Sequence, residues 1–156
     1  MGLLRILVDG YSLLHAWPEL APGKARFSAA ARDELIHWLT QYRDATGTPI
    51  TVIFDGAGAP AGISKMHSTP EMEILFSKAG HTADDLIERA AHRFAEHGPI
   101  LVVTNDFAER DTVFAGGAHF SSCQNFIREI QITLGELHDD LKNYNKREMS
   151  RFKKPK

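Results

Sequence analysis

Three short apolar runs in this chain are each followed within two positions by an acidic residue. The runs are Leu3–Val8, Ile50–Phe54 and Ile100–Thr104, and each is nearly continuous rather than alternating. Continuous apolar runs of this length are typical of strands that are buried on both faces of a parallel sheet. The acids that follow are Asp9, Asp55 and, one residue further on, Asp106. The chain is therefore limited to folds in which the ends of several buried strands present carboxylates.

Two helices between these runs carry clear end signals. Ser28 is a suitable N-cap for a helix that runs to about Thr46, and Gly47 is a suitable C-terminal stop. Thr82, followed three residues later by Asp85, has the pattern of a capping box at the start of a second helix. Strands and helices are thus predicted to alternate along the chain.

Further elements complete the predicted order. Strands are expected at Met72–Phe76 and around residues 118–120, a short helix after Phe107, and a long final helix after Ser121 or Ser122. This alternation predicts an α/β fold, a three-layer α/β/α sandwich with a mostly parallel central sheet. Right-handed crossovers place the carboxyl ends of such strands along one edge of the sheet. The three acids should therefore gather at that edge.

Helix geometry places a fourth acid at the same edge. In the helix after Thr82, a stripe of apolar residues is expected to face the sheet. At ~100° per residue, Asp84 lies on the margin of that stripe, whereas Asp85 points away from it. We therefore expect Asp84 to join the other acids and Asp85 to cap the helix. Glu88, one turn after Asp84, is a second candidate on the same margin.

Several carboxylates at one edge repel one another unless a cation lies among them. Hard oxygen ligands of this kind suit Mg²⁺ or Mn²⁺. The chemistry that such a site supports best is metal-assisted hydrolysis of a phosphodiester, because the metal lowers the pKa of water and stabilises charge on the phosphate. For each acid on its own a second interpretation stays open, since an aspartate after a strand is also a common helix N-cap.

Composition narrows the possible functions. The chain has 156 residues and a hydrophobic fraction of 43%, which fits one globular domain. Its single cysteine, Cys123, excludes an internal disulfide framework and is expected to pack in the core rather than act as a nucleophile. No apolar run approaches the ~20 residues of a membrane span, and no signal-peptide pattern is present, which predicts a cytoplasmic protein.

Charge is distributed unevenly along the chain. The formal net charge is −2, but residues 142–156 contain seven lysines and arginines and one acid, so this segment carries +6 and residues 1–141 carry −8. We predict a domain over residues 1–141 and a basic C-terminal tail over residues 142–156 that continues the last helix. Basic ends commonly contact phosphate backbones, and a solubilising helix end fits the charge equally well.

Motifs of other enzyme classes are absent. Neither GxxxxGK[ST] nor GxGxxG occurs, so a phosphate loop and a dinucleotide site lack support. A phosphatase with an aspartyl nucleophile needs a second acid two residues after the first, where this chain has Tyr11. The eight histidines include no HExxH pattern.

Four segments of the chain resemble the YacP-like branch of the NYN domain family, which belongs to the PIN-like nuclease superfamily. They are ILVDGYSLLH, TVIFDG, EILFSKAGHTADDLIERAA and VVTNDFAERDTVFAGGA. The resemblance implies a PIN-like fold and a metal-dependent endoribonuclease that leaves a 5′-phosphate. By position, Asp9, Asp84 and Asp106 match the family's metal-binding acids, and Asp55 lies in a further family motif. The resemblance also implies RNA as the substrate and links some members to translating ribosomes.

Two positions depart from the family pattern. Ser12 stands where DGYN has its asparagine, and Asn105 replaces the more usual serine before Asp106. Serine has a shorter reach than asparagine, so a contact at this position would need a water, and the Thr104 hydroxyl could substitute for the one missing at position 105. Ser12, Thr104 and Asn105 are therefore predicted to contact substrate.

The leading hypothesis is a Mg²⁺- or Mn²⁺-dependent endoribonuclease involved in RNA turnover. Basic groups around the acidic edge are expected to hold the RNA backbone, namely Lys24, Arg26, Lys65 and the tail. Trp17 could stack on a base or pack on its own domain. One alternative, favoured by Ser12 and Asn105, is an RNA- or ribosome-binding module with a weak or inactive nuclease site. Another is a nuclease that acts on DNA.

Overall fold

A single five-stranded parallel sheet forms the centre of the described structure. The structure, a computed structural model, describes residues 2–23, 25, 28–56, 69–77, 82–106 and 118–153, without the side chains of residues 136–141 and 149–153. The strands lie in the order β3-β2-β1-β4-β5, and all neighbours are parallel. Their bounds are β1 Arg5–Asp9, β2 Ile50–Phe54, β3 Met72–Phe76, β4 Ile100–Val103 and β5 His119–Ser121.

Helices cover both faces of the sheet. They are α1 Gly10–Ala16, a 3₁₀ turn at Pro18–Leu20, α2 Ala29–Thr46, α3 Ala83–Ala95 and α4 Cys123–Lys153. Ile6 and Val8 of β1 pack with α1, α2 and α4, whereas Leu7 between them packs with α3. Side chains of a strand alternate between its faces, so the two cores lie on opposite sides of the sheet. The predicted three-layer sandwich is confirmed.

The predicted helix ends are confirmed by their hydrogen bonds. Ser28 caps α2 through its side chain, and Gly47 ends that helix in the left-handed region at φ 74°. Thr82 and Asp85 form both bonds of the capping box at the start of α3. Of the two serines considered for the last helix, Ser122 is the cap, and its hydroxyl accepts a backbone N–H of the first turn at 3.2 Å.

Strand bounds differ from the prediction by one or two residues. β1 begins at Arg5 rather than Leu3, and it includes Asp9, because Asp9 still lies in register with Ile53 of β2. β2 and β3 have the predicted bounds. The short helix expected after Phe107 lies outside the described residues. Among the helices that are described, none has the length and apolarity needed to cross a membrane.

The long last helix runs away from the edge at which the acids lie. α4 follows β5, so its N-terminus is at the carboxyl edge of the sheet. It has 31 residues, which corresponds to about 46 Å at 1.5 Å per residue. The basic residues Lys142, Lys146 and Arg147 on this helix therefore lie far from the strand ends. The expectation that the tail borders the acidic edge was wrong for these three residues, because α4 passes Tyr42, near the end of α2 at the opposite edge of the sheet, before it reaches them.

Candidate functional site

The candidate site lies where the strand order changes direction. From β1 the chain goes through α1 and α2 to β2 on one side, and from β3 it crosses through α3 to β4 on the other side of β1. In open parallel sheets, ligands bind in the crevice outside the carboxyl ends of the strands at such a switch point. Asp9 ends β1, and residues 104–106 follow β4. These residues are therefore the first candidates for a functional site.

Asp9 is both the end of a strand and the cap of a helix. Its carboxylate accepts a hydrogen bond from the Ser12 hydroxyl at 2.7 Å and one from the Ser12 backbone N–H at 3.4 Å. The N-cap interpretation is thus confirmed for this acid. Capping does not exclude a functional role, because an ionised carboxylate has about four lone-pair sites. Only 8% of Asp9 is exposed, which holds the carboxylate in one orientation.

Thr104 connects the two acids of the switch point. The register of β1 and β4 pairs Val8 with Val103, so the next residues, Asp9 and Thr104, are neighbours. The Thr104 hydroxyl donates to Asp9 Oδ2 at 3.3 Å and accepts the Asp106 backbone N–H at 3.1 Å. Thr104 has no exposed surface. We therefore assign it a positioning role in place of the predicted substrate contact.

The electrostatic environment of Asp9 favours a cation. Burial raises the pKa of the Asp9 carboxyl, the bonds from Ser12 and Thr104 lower it, and the negative charge of Asp106 raises it, with a net rise. Within the described part of the chain, no lysine or arginine pairs with Asp9. A buried carboxylate next to a second acid is costly to ionise. A divalent cation held by the two acids would offset both the cost of burying the Asp9 charge and its repulsion by Asp106.

Cys123 lies near this site but is not a nucleophile. Its side chain is fully buried at the start of α4. Burial, with the nearby charge of Asp9, raises the pKa of the Cys123 thiol to about 12. Since the reactive form of cysteine is the thiolate, this thiol is inert near neutral pH. The predicted packing role is confirmed.

Asp84 lies at the same edge of the sheet as Asp9. α3 connects β3 to β4, so its N-terminus is at the carboxyl edge, and Ala83, Ile87 and Ala91 are buried against the sheet. Asp84 is half-buried, and Asp85 is exposed in the capping box. No three metal-ligating side chains among the described residues lie close enough together to hold an ion. The convergence of Asp84 with the other acids stays a prediction.

Asp55 follows β2 and is exposed at the rim. The next residue, Gly56, donates its backbone N–H to the Ser77 hydroxyl at 2.8 Å, and Ser77 donates its own N–H to the Phe54 carbonyl. These bonds join the ends of β2 and β3 directly beside Asp55. The predicted substrate-binding residues Lys65 and Arg26, together with Lys24, lie outside the described residues.

Asn105 joins the site to the last helix. Its side-chain oxygen accepts the Cys123 backbone N–H at 2.8 Å. The oxygen is therefore occupied within the protein, and the predicted substrate contact would come from the amide N–H₂ group. The asparagine that departs from the family pattern thus fixes the start of α4 next to Asp106.

Replacement of Asn105 by alanine is expected to lower the free energy of unfolding by about 1–2 kcal/mol, because a buried backbone donor loses its acceptor. Urea unfolding of Asn105→Ala measures the effect. Asn125→Ala is the control, since Asn125 is exposed in the same helix. Equal stability of the two variants would contradict the assigned bond.

Arg32 is a buried charge that the sequence analysis did not consider. It is 5% exposed, its guanidinium donates to the Tyr11 hydroxyl at 3.3 Å, and it lies over the Phe76 ring at 5.9 Å. Tyr11 directly precedes Ser12, so this contact helps to hold the start of α1. The sequence did contain a signal for its burial, because Arg32 comes three residues before Leu35 and so lies on the buried stripe of α2.

Trp17 packs on its own domain. It is 5% exposed, and its ring centroid lies 5.6 Å from that of Trp38. The interpretation in which Trp17 stacks on a base was wrong, because the indole is used to close the core between the 3₁₀ turn and α2.

The donor set at the switch point suits a hard divalent cation. Asp9 and Asp106 supply carboxylate oxygens, and the hydroxyls of Ser12 and Thr104 orient Asp9. Mg²⁺ in proteins usually keeps several waters and is held by one or two carboxylates together with substrate phosphates. Two acids at this edge therefore meet the requirement of Mg²⁺ or Mn²⁺, and Asp84 would be a further ligand.

Comparisons with known proteins identify the family of this chain. The family model described as YacP-like NYN domain matches residues 6–155. The Bacillus subtilis (strain 168) protein named "Uncharacterized protein YacP" is 35% identical over 127 residues, which cover 81% of this chain and 74% of that protein.

Solved structures show the same fold. The crystal structure of Rae1 (YacP) from Bacillus subtilis matches with a TM-score of 0.78 and 30% identity over 96% of this chain and 85% of that one. A crystal structure of a single-residue variant of Rae1 gives a TM-score of 0.75 and 30% identity over 90% and 82% of the two chains. The family match spans nearly the whole chain, and the relatives match in both sequence and fold. This chain therefore belongs to the family of YacP-like NYN domains.

Proposed function

We propose that the protein is a metal-dependent endoribonuclease that hydrolyses RNA phosphodiester bonds at the carboxyl edge of β1 and β4. Family membership supports a nuclease-type function related to RNA. The observation that carries the finer proposal is the link from Asp9 through the Thr104 hydroxyl to Asp106 at the switch point of the sheet. This link ties the Asp9 carboxylate at the end of β1 to the backbone of Asp106 after β4.

The residues at this site would have two roles, to hold the metal and to position its ligands. Asp9 and Asp106, joined by Asp84 from α3, would hold Mg²⁺ or Mn²⁺. Such a cation supplies a more acidic water and neutralises charge on the phosphate. The hydroxyls of Ser12 and Thr104 fix the Asp9 carboxylate, as outer-shell partners commonly do for metal ligands. Their bonds of 2.7 and 3.3 Å go to Oδ2, so Asp9 Oδ1, which accepts only the 3.4 Å bond from the Ser12 backbone N–H, is the freer oxygen for a metal.

Other residues would contact the RNA around this centre. Asp55 is exposed beside the end of β2 and is proposed to line the rim. Next to the cleaved bond, the Asn105 amide N–H₂ group is proposed to donate to a phosphate oxygen. The Ser12 hydroxyl oxygen, whose proton is donated to Asp9, is proposed to accept from a sugar hydroxyl. Hydrolysis in this way would leave a 5′-phosphate and take place on RNA in the cytoplasm.

Metal removal and a matched pair of variants test the proposal. After treatment with a chelator, cleavage of a mixed-sequence RNA is expected to stop and to return with Mn²⁺. Asp84→Asn is expected to lower the cleavage rate by at least ~10–100-fold, the range typical even for outer-shell partners of a metal. Asp85→Asn is the control, because Asp85 is the exposed neighbour and asparagine can still accept the Thr82 N–H. Cleavage that persists in chelator, or equal rates for the two variants, would rule out this mechanism.

One observation favours an RNA- or ribosome-binding module with a weak or inactive nuclease site. The side chains at both departures from the family pattern are used within the protein, Ser12 on Asp9 and Asn105 on Cys123. This alternative predicts salt-sensitive RNA binding that survives chelation, with no strand scission. A DNA oligonucleotide of the same sequence, tested in parallel, separates a ribonuclease from a nuclease that accepts both.

A further inference from the structure

The second half of α4 runs past the level at which α2 ends. Near the end of α2, the Tyr42 ring meets Phe126 at 5.4 Å between centroids, and its hydroxyl pairs with Thr133. α2 and α4 both run from the carboxyl edge toward the opposite edge, and α2 ends at Thr46, one turn after Tyr42. Among the side chains of α4 that the structure describes, Leu134 is the last that packs against the core. The helix itself continues to Lys153.

This extension carries a concentrated positive charge. Residues 142–147 are all exposed, and they comprise three cations, two asparagines and a tyrosine, with no acid. The cations are Lys142, Lys146 and Arg147. We call residues 142–147 the basic arm. Lys142 and Lys146 are spaced i and i+4, so they lie on one side of the helix, where they can meet successive phosphates.

The basic arm is far from the proposed cleavage site. Asn105 holds the Cys123 backbone N–H, so α4 begins beside Asp106. Lys142 lies 19 residues further along the helix, which corresponds to about 28 Å at 1.5 Å per residue. At the stacked rise of ~3.4 Å per nucleotide, this distance is about eight nucleotides. A single RNA chain of that length or more could contact both places.

We propose that the basic arm is a second RNA contact, which binds the phosphate backbone about 28 Å from the cleavage site. The proposal rests on RNA being the substrate, as proposed above, but it concerns binding and does not require that the protein cleaves. A polyanion fits the arm better than a second copy of the chain. Two such arms would bring like charges together, which opposes pairing.

Binding of labelled RNA to matched variants tests the arm. Lys142→Gln/Lys146→Gln removes two exposed cations spaced i, i+4 on α4, and Arg89→Gln/Arg93→Gln removes two exposed cations with the same spacing on α3. Glutamine has nearly the same helix propensity as lysine and arginine, so the fold should persist. Affinities for a 40-nucleotide single-stranded RNA and for a hexanucleotide, about 20 Å when stacked, are measured in chelator, at several salt concentrations.

The arm variant is expected to reduce the slope of log affinity against log salt by about 1.4 for the 40-nucleotide RNA, which corresponds to roughly 25-fold weaker binding at 0.1 M salt. Its affinity for the hexanucleotide should equal that of the wild type, and the α3 variant should bind both RNAs as the wild type does.

Three results would overturn the proposal. They are unchanged binding of the long RNA by the arm variant, an equal loss in the α3 variant, or a wild-type dimer in sedimentation that the arm variant dissociates. The last result would identify the arm as a contact between copies. Because the assay contains chelator, a protein that proves unable to cleave RNA still gives a decisive answer about the arm.

Discussion

Asp9→Asn is expected to lower metal-dependent RNA cleavage by at least ~100-fold while the protein stays folded. The expected loss is large because Asp9 is the buried member of the acid pair and receives both positioning hydroxyls. Loss of an outer-shell partner of a metal already costs about 10–100-fold, and loss of a ligand should cost more. Asparagine is as good an N-cap as aspartate, so the start of α1 is preserved.

The direction in which Asp9→Asn changes the free energy of unfolding follows from the pKa of Asp9. Burial raises the pKa of Asp9 in the folded protein, so its contribution to stability is present below the unfolded pKa of ~3.9 and is lost as pH rises through the folded pKa. At pH 7 the ionised, metal-free wild type therefore carries a cost that asparagine removes. Asp9→Asn should be at least as stable as the wild type at pH 7 without metal, with a smaller difference in acid.

Cleavage assays check the expected loss of activity in Asp9→Asn, and thermal unfolding with and without Mn²⁺ checks its expected stability. At a metal concentration 100 times the dissociation constant, the wild type should gain about 2.7 kcal/mol of stability, and the variant should gain less. Asp33→Asn, which replaces an exposed aspartate on α2, is the control and should behave as the wild type does. Cleavage by Asp9→Asn at the wild-type rate would eliminate the proposed mechanism.

Gly56→Ala is expected to lower the free energy of unfolding by about 3 kcal/mol. A Cβ atom at this position would lie 1.7 Å from the Ser77 carbonyl oxygen. The obstacle is backbone, and the two residues are also joined by the Gly56 N–H bond to the Ser77 hydroxyl, so neither side can turn away. The ends of β2 and β3 would have to separate. This strain lies next to Asp55, so cleavage should fall as well.

A glycine-to-alanine substitution inside α4 should instead raise the free energy of unfolding. A Cβ atom on Gly135, inside α4, would meet nothing within 4 Å. Glycine inside a helix is less favourable than alanine by roughly 0.5–1 kcal/mol, so Gly135→Ala should stabilise the protein by about that amount. Denaturant unfolding of both variants makes the comparison. A Gly56→Ala variant as stable as the wild type would contradict the close approach of Gly56 to the Ser77 carbonyl oxygen at the ends of β2 and β3.

Much of the architecture was predictable because its signals are local. β2 and β3 have the bounds expected from their apolar runs, and the caps at Ser28 and Thr82 act as their residue types indicate. Strand periodicity and capping depend on residues within one or two turns of each other, so they can be recognised without knowledge of the partners. Errors of one or two residues occurred at β1, whose ends depend on pairing with its neighbours.

The candidate site was predictable only in part. Asp9 and Asp106 could be assigned to one edge because each follows a parallel strand, and the structure makes their strands neighbours. The role of Thr104 could not be foreseen, because its bond to Asp9 spans 95 positions and depends on the β1–β4 register. Arg32 was missed because a charged residue is usually exposed, and only its contacts with Tyr11 and Phe76 make its burial tolerable.

The sequence by itself determined which segments form strands and helices, and it determined that acids follow the buried strands. Those properties come from side-chain size, polarity and spacing over short distances. Only the tertiary structure decided that Asp9 also caps α1, that Gly56 must lack a side chain, and that the basic arm lies far from the acids. Each of these depends on the order and register in which distant segments pack, which no local pattern encodes.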